Sequence, residues 1–131
     1  MDENKLKQRT KQFALRAIKL AGALPKNFIG KIIGSQFIRA GTSVGANYRA
    51  ACRARSQAEF IAKLGIVEEE ADECGYWMEL IIESGLMKNT LVEPLLQEAS
   101  EITAIISASR RTTKRAASPH LQEYIHGPSP I

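Results

Sequence analysis

Apolar positions recur along this chain at alternating spacings of four and three, and no segment alternates with the period of two that marks a half-buried strand. The spacing predicts four helices. Leu6, Thr10, Phe13, Ala17, Leu20 and Leu24 place the first over about 4–24, ended by Pro25, which cannot donate the next helical hydrogen bond. Ile29, Ile33, Phe37, Ala40, Val44, Asn47, Ala51 and Ala54 place the second over about 28–54. Its Gly41-Thr42-Ser43-Val44-Gly45 stretch also fits a turn, and two glycines cost about 2 kcal/mol relative to alanine in a helix. The apolar face stays in phase across them, so one continuous helix is expected, with small residues where a neighbour approaches closely.

The third helix has a capping box at its start, Ser56-Gln57-Ala58-Glu59. Phe60, Leu64, Val67, Ala71, Cys74, Met78 and Ile81 then follow as a heptad, and Gly85 suits the left-handed position that ends a helix. A second capping-box pattern, Thr90-Leu91-Val92-Glu93, is expected to open the fourth, with Pro94 in the first turn. Val92, Leu95, Ala99, Ile102, Ile106 and Ser109 form its inner face, and it fades in the basic stretch from Arg110 to Arg115. Beyond Ala116, Pro119, Gly127, Pro128 and Pro130 read as a flexible tail. Short connections make neighbouring helices antiparallel. The expected architecture is all-α, an up-down-up-down four-helix bundle over residues 1–115 followed by a tail over 116–131.

A length of 131 residues suits one domain and not two. With 44% hydrophobic and 24% charged residues, the composition is that of an ordinary globular chain, which needs no staple. Cys52 and Cys74 have no second pair to build a zinc site and read as small core residues, suited to a reducing cytoplasm. No apolar run approaches the roughly 20 residues of a membrane span, and residues 1–10 are too charged for a signal peptide. A cytoplasmic protein with no membrane partner is expected.

Catalytic chemistry finds little support. The two histidines, His120 and His126, both fall in the tail, and no glycine-rich phosphate loop occurs. Glu69, Glu70 and Glu73 lack the Glu-x-x-His partners that di-iron bundles require. Ser43 has no base within pattern reach. Together with Asn47 it reads as a hydrogen-bonding pair across a close helix contact. Arg115-x4-His120 meets the spacing of a helical ribonuclease motif, but at the edge of the tail, where a chance match is easy. No enzyme activity, metal or cofactor is expected.

Charge changes the picture more than composition does. The net charge is only +4. Yet residues 28–55 carry five bases (Lys31, Arg39, Arg49, Arg53 and Arg55) and no acid, while 56–84 carry eight acids and one base, Lys63. At 100° per residue, Lys31, Arg39, Arg49 and Arg53 share an arc of about 80° opposite the apolar face. Three readings fit this stripe: a solvated surface, ion pairs with an acidic helix of the same or another subunit, or phosphate binding. Arg39, Arg49, Arg53 and Arg55, with Lys114 and Arg115, are the candidate nucleic-acid contacts. On the third helix, Ile66 and Trp77 project to one side of the seam and Tyr76 and Leu80 to its back, with Glu59, Glu70 and Glu73 beside Ile66 and Trp77. An apolar strip edged by acids is a candidate oligomer interface, unless a neighbouring helix of the same subunit covers it.

Several of these residues occur in a fixed order: Gln36-x-x-Arg39, Thr42-Ser43-Val44-Gly45-Ala46-Asn47, Ser56-x-x-Glu59-Phe60-x-x-Lys63-Leu64, Glu70-Ala71 with Glu73, and Tyr76-Trp77. The set resembles the four-helix-bundle proteins encoded in intervening sequences of bacterial large-subunit ribosomal RNA genes, over about Arg9 to Ala108. The resemblance implies a bundle that assembles into a ring-like homopentamer without known enzyme activity. A related branch, the accessory variability protein of diversity-generating retroelements, binds nucleic acid and assists a reverse transcriptase, which makes RNA or DNA and a reverse transcriptase the partners implied. One departure stands out: where the family often carries Glu three residues after the Asn, this chain has Ala50.

Overall fold

The computed structural model describes residues 1–116. They form four helices and no strand: α1 (Glu3–Gly22), α2 (Phe28–Cys52), α3 (Gln57–Glu83) and α4 (Asn89–Ala116). Each packs against its neighbours in sequence, α1 also meets α4, and no diagonal pair meets. Thr10 faces Gly45 while Ala17 faces Gly41, and Gly65 faces Arg110 while Gly75 faces Leu96, so the helices run antiparallel around the ring. This is the expected up-down-up-down bundle. Apart from Ala116, which ends α4, the expected tail lies outside the described residues, and so do His120 and His126.

The predicted apolar faces build the core. Phe13, Phe37, Leu64, Met78, Ile81, Ile102 and Ile106 are its large, wholly buried side chains. Thr10 sits among them without an unsatisfied hydroxyl, because its Oγ1 donates to the Leu6 carbonyl of its own helix at 2.9 Å. The second helix is continuous through Gly41–Gly45, as the phase of its face requires. A Cβ on Gly41 would stand 2.8 Å from the Ala17 Cβ, so hydrogen at that position is what lets α1 and α2 approach. Ile29, placed on that face by the periodicity, is instead 49% exposed, because it lies at the end of α2 where the bundle runs out.

Helix ends follow local chemistry, with two departures. The Ser56 Oγ accepts from the Glu59 N–H at 3.1 Å, but the Glu59 carboxylate reaches past Ser56 to the Arg55 N–H, also 3.1 Å. α3 ends on Gly85 at φ +77°, with the Leu86 N–H on the Ile81 carbonyl and the Gly85 N–H on that of Ile82. The second capping box does not cap. α4 begins at Asn89, so Thr90 is already helical and Pro94 is the sixth residue, past the first turn. The helix starts ahead of the Thr90 pattern because the Leu91 N–H already bonds to the Lys88 carbonyl. α4 also runs on through Arg110–Arg115 rather than fading there.

Candidate nucleic-acid interface at one end of the bundle

The antiparallel course brings the C-terminal ends of α2 and α4 and the N-terminal ends of α1 and α3 together. Arg53 and Arg55, at and after the end of α2, therefore share one end of the molecule with Lys114 and Arg115. A shallow cavity of about 440 Å³ lined by both Arg55 and Thr113 joins the two segments. Arg49 stands one turn before Arg53, inside the last turn of α2. Arg49, Arg53, Arg55 and Arg115 are exposed and Lys114 is half-buried. Among the described residues, no carboxylate lies within ion-pair distance of any of these five cations. The acids nearby are already engaged. Asp2 caps α1 by accepting from the Lys5 N–H at 2.8 Å, Glu3 pairs with Lys7 at 3.1 Å, and Glu59 caps α3.

Arg39 has a different fate. Its guanidinium pairs with Glu70 at 3.3 Å and with Glu73, both on α3. Of the three readings of the basic stripe, ion pairing to an acidic helix of the same subunit holds at this position. Glu73 also accepts from the Trp77 indole N–H at 2.9 Å. That hydrogen bond, with the Arg39 guanidinium beside it, holds the Glu73 carboxyl below the ordinary carboxylate range.

The candidate oligomer interface divides in the same way. Trp77 is half-buried and packs against the core, so its own subunit covers much of the indole. Glu59, Glu70 and Glu73 all have partners within the chain. Ile66 and Tyr76 remain open at 41% and 55% exposure, the Tyr76 ring edge-on to Trp77 with centroids 5.5 Å apart. Ser43 and Asn47 do not bond across a helix contact. The Ser43 Oγ donates to the Arg39 carbonyl at 2.8 Å and the Asn47 amide to the Ser43 carbonyl at 2.9 Å, both within α2.

Other charged contacts join residues far apart in sequence. Arg9 of α1 grips Glu98 through two nitrogens, at 2.6 and 2.8 Å, and Glu101 at 2.7 Å, tying α1 to α4. Arg110 reaches Glu68 at 2.9 Å with its guanidinium laid over Gly65. Neither contact has a signal in the sequence, since the partners are 89 or more and 42 positions apart. Burial raises the Cys74 thiol to about 12 and also raises Cys52, so both cysteines are free thiols with little thiolate character. No cluster of three or more His, Cys, Asp or Glu positioned for a metal ion occurs among the described residues. None of their helices is long and apolar enough to cross a membrane.

The molecule thus defined is a four-helix bundle with a basic end. The family described as 23S rRNA-intervening sequence protein matches this chain over residues 2–108, and the chain belongs to that family. It is also similar to a solved structure from Bacteroides thetaiotaomicron, described as a protein of unknown function from the S23 ribosomal protein family. The identity is 33% and the TM-score 0.78, covering 85% of this chain and 99% of that one. No curated protein matches it.

Proposed function

We propose that this chain is a non-enzymatic, homo-oligomeric protein of the cytoplasm that acts as a nucleic-acid-binding or ribonucleoprotein accessory factor. The observation that carries this reading is the set of cations at one end of the bundle, Arg49, Arg53, Arg55, Lys114 and Arg115, whose nearby acids are engaged elsewhere. Unpaired Arg and Lys on one surface bind phosphates and release counterions, which makes binding steeply dependent on salt. The pentamer implied by the family resemblance is the assembly expected, with Ile66 and Tyr76 as the open apolar positions at its subunit contact. A filter-binding titration with structured RNA tests the reading. Binding that weakens as salt rises supports it, while no binding at low salt, or binding indifferent to salt, overturns it.

A second reading has its own observation. Ile66 and Tyr76 are apolar or aromatic and exposed on α3, which favours a protein-interaction module whose contacts need no nucleic acid. Arg49 would then pair with acids of a neighbouring subunit. Arg49→Glu should break the oligomer in light scattering under that reading and leave it whole under the first. The first is preferred because Glu59, Glu70 and Glu73, the acids this pairing would use, are already engaged within their own chain, Glu59 on the Arg55 N–H and the other two on Arg39.

A further inference from the structure

A groove of about 570 Å³ runs between the first half of α1 and the second half of α2, adjoining the basic end. Lys7 and Lys11 line it from α1 and Arg49 lines it from α2. Lys7 and Lys11 are one turn apart, about 6 Å along the axis, and Arg49 meets them from the antiparallel helix. Asn4 and Gln8 add side-chain amides at the α1 wall. Gly45 and Ala46 leave the α2 side shallow, where larger side chains would fill the groove. No carboxylate lines it. Lys7 pairs with Glu3, whose side chain is 57% exposed, so that contact is weak and exchangeable. Among the described residues Lys11 and Arg49 have no carboxylate partner.

Three cations converging on an open, acid-free groove with amide donors in its wall match a phosphodiester chain better than a flat surface does. We propose that the α1–α2 groove seats the backbone of a nucleic-acid strand, with Lys7, Lys11 and Arg49 on its phosphates and Asn4 and Gln8 donating to phosphate or sugar oxygens. The proposal rests on the nucleic-acid reading above and gives that reading a place. It adds two α1 lysines that the basic stripe of α2 does not contain. The competing occupants are a free anion and an acidic helix of a second copy.

The test is an anisotropy titration of the full chain with a short single-stranded RNA across a salt series. It compares the parent, Lys11→Ala with Arg49→Ala, and Ala46→Glu, which sets a carboxylate in the groove at an exposed position. Lys26→Ala with Lys88→Ala removes the same charge at the opposite end of the bundle, where both lysines are exposed. Circular dichroism checks that all four are equally helical. The Lys11/Arg49 variant should bind about tenfold more weakly at low salt and lower the salt slope by about 1.4, two phosphates at about 0.7 each. Ala46→Glu should weaken binding too, and the Lys26/Lys88 control should bind like the parent. If the parent binds but the groove variants match it, or the control weakens equally, the groove is overturned and the nucleic-acid reading stands. If the parent binds no RNA, both fall. Displacement of the strand by inorganic phosphate at equal phosphate concentration makes this a free-anion site and overturns the proposal. So does loss of the oligomer in light scattering of the Lys11/Arg49 variant, which makes the groove a subunit contact.

Discussion

Glu73 joins an indole hydrogen bond to an ion pair between helices. It accepts from the Trp77 indole, pairs with Arg39 across the α2–α3 seam, and is held below its ordinary pKa by both. A carboxyl whose folded pKa is depressed contributes stability that is fully present above its unfolded value, about 4.3, and is lost as pH falls through the lower folded value. Trp77 is the sole tryptophan, so its emission reports this site alone. Acidification below about pH 4.3 should shift the emission and lower stability over the same range. In Glu73→Gln the emission step should vanish, because the amide oxygen still accepts from the indole but does not titrate. A step of unchanged midpoint in that variant would assign the titration to another group.

At the scale of the element, two glycines in helices make opposite predictions from the same propensity. Alanine gains up to about 1 kcal/mol over glycine in a helix interior when nothing opposes it. Gly75 on α3 is such a place, since an added Cβ meets only Leu96 Cδ1 at 3.8 Å, an ordinary contact. Gly41 on α2 is not, since the added Cβ meets the Ala17 Cβ at 2.8 Å and forces α1 and α2 apart. Gly75→Ala should therefore raise the urea midpoint. Gly41→Ala should lower it by an overpacking cost of about 1–3 kcal/mol. Equal shifts of one sign would show that the helix pair adjusts freely.

Over the whole molecule, the four seams are unequal. α3 packs along its length against both α2 and α4, whereas α1 packs fully only against α2 and meets α4 over a short seam held by Arg9. The order of local opening follows from this. In native-state hydrogen exchange, α1 amides should open at lower free energy than those of α3. Arg9→Ala should speed exchange in α1 more than in α3. Equal protection of the two helices would mean that the bundle opens only as a unit. The proposed groove lies on α1, so the surface offered to a nucleic-acid strand includes the helix with the least complete packing.

How far a feature is legible in the sequence depends on how far apart the interacting residues lie. The heptad of Leu64 to Ile81 picks out the six buried residues of α3, because the period of burial is a local property of a helix facing a core. The Ser56–Glu59 cap and the Gly85 stop are readable for the same reason, each being complete within a few residues. The basic end is legible only in part. Arg49, Arg53 and Arg55 stand out by charge, but Arg39 looks the same in sequence and differs only because Glu70 and Glu73 face it from α3. Lys7 and Lys11 have the pattern of ordinary solvated lysines, and it is the antiparallel course that sets them across from Arg49. By itself the sequence determined four amphipathic helices, their order and the segregation of charge between α2 and α3. Only the tertiary structure decided which charges are neutralised and which remain open, because an ion pair depends on distances of a few ångströms between helices, and no spacing along one helix contains them.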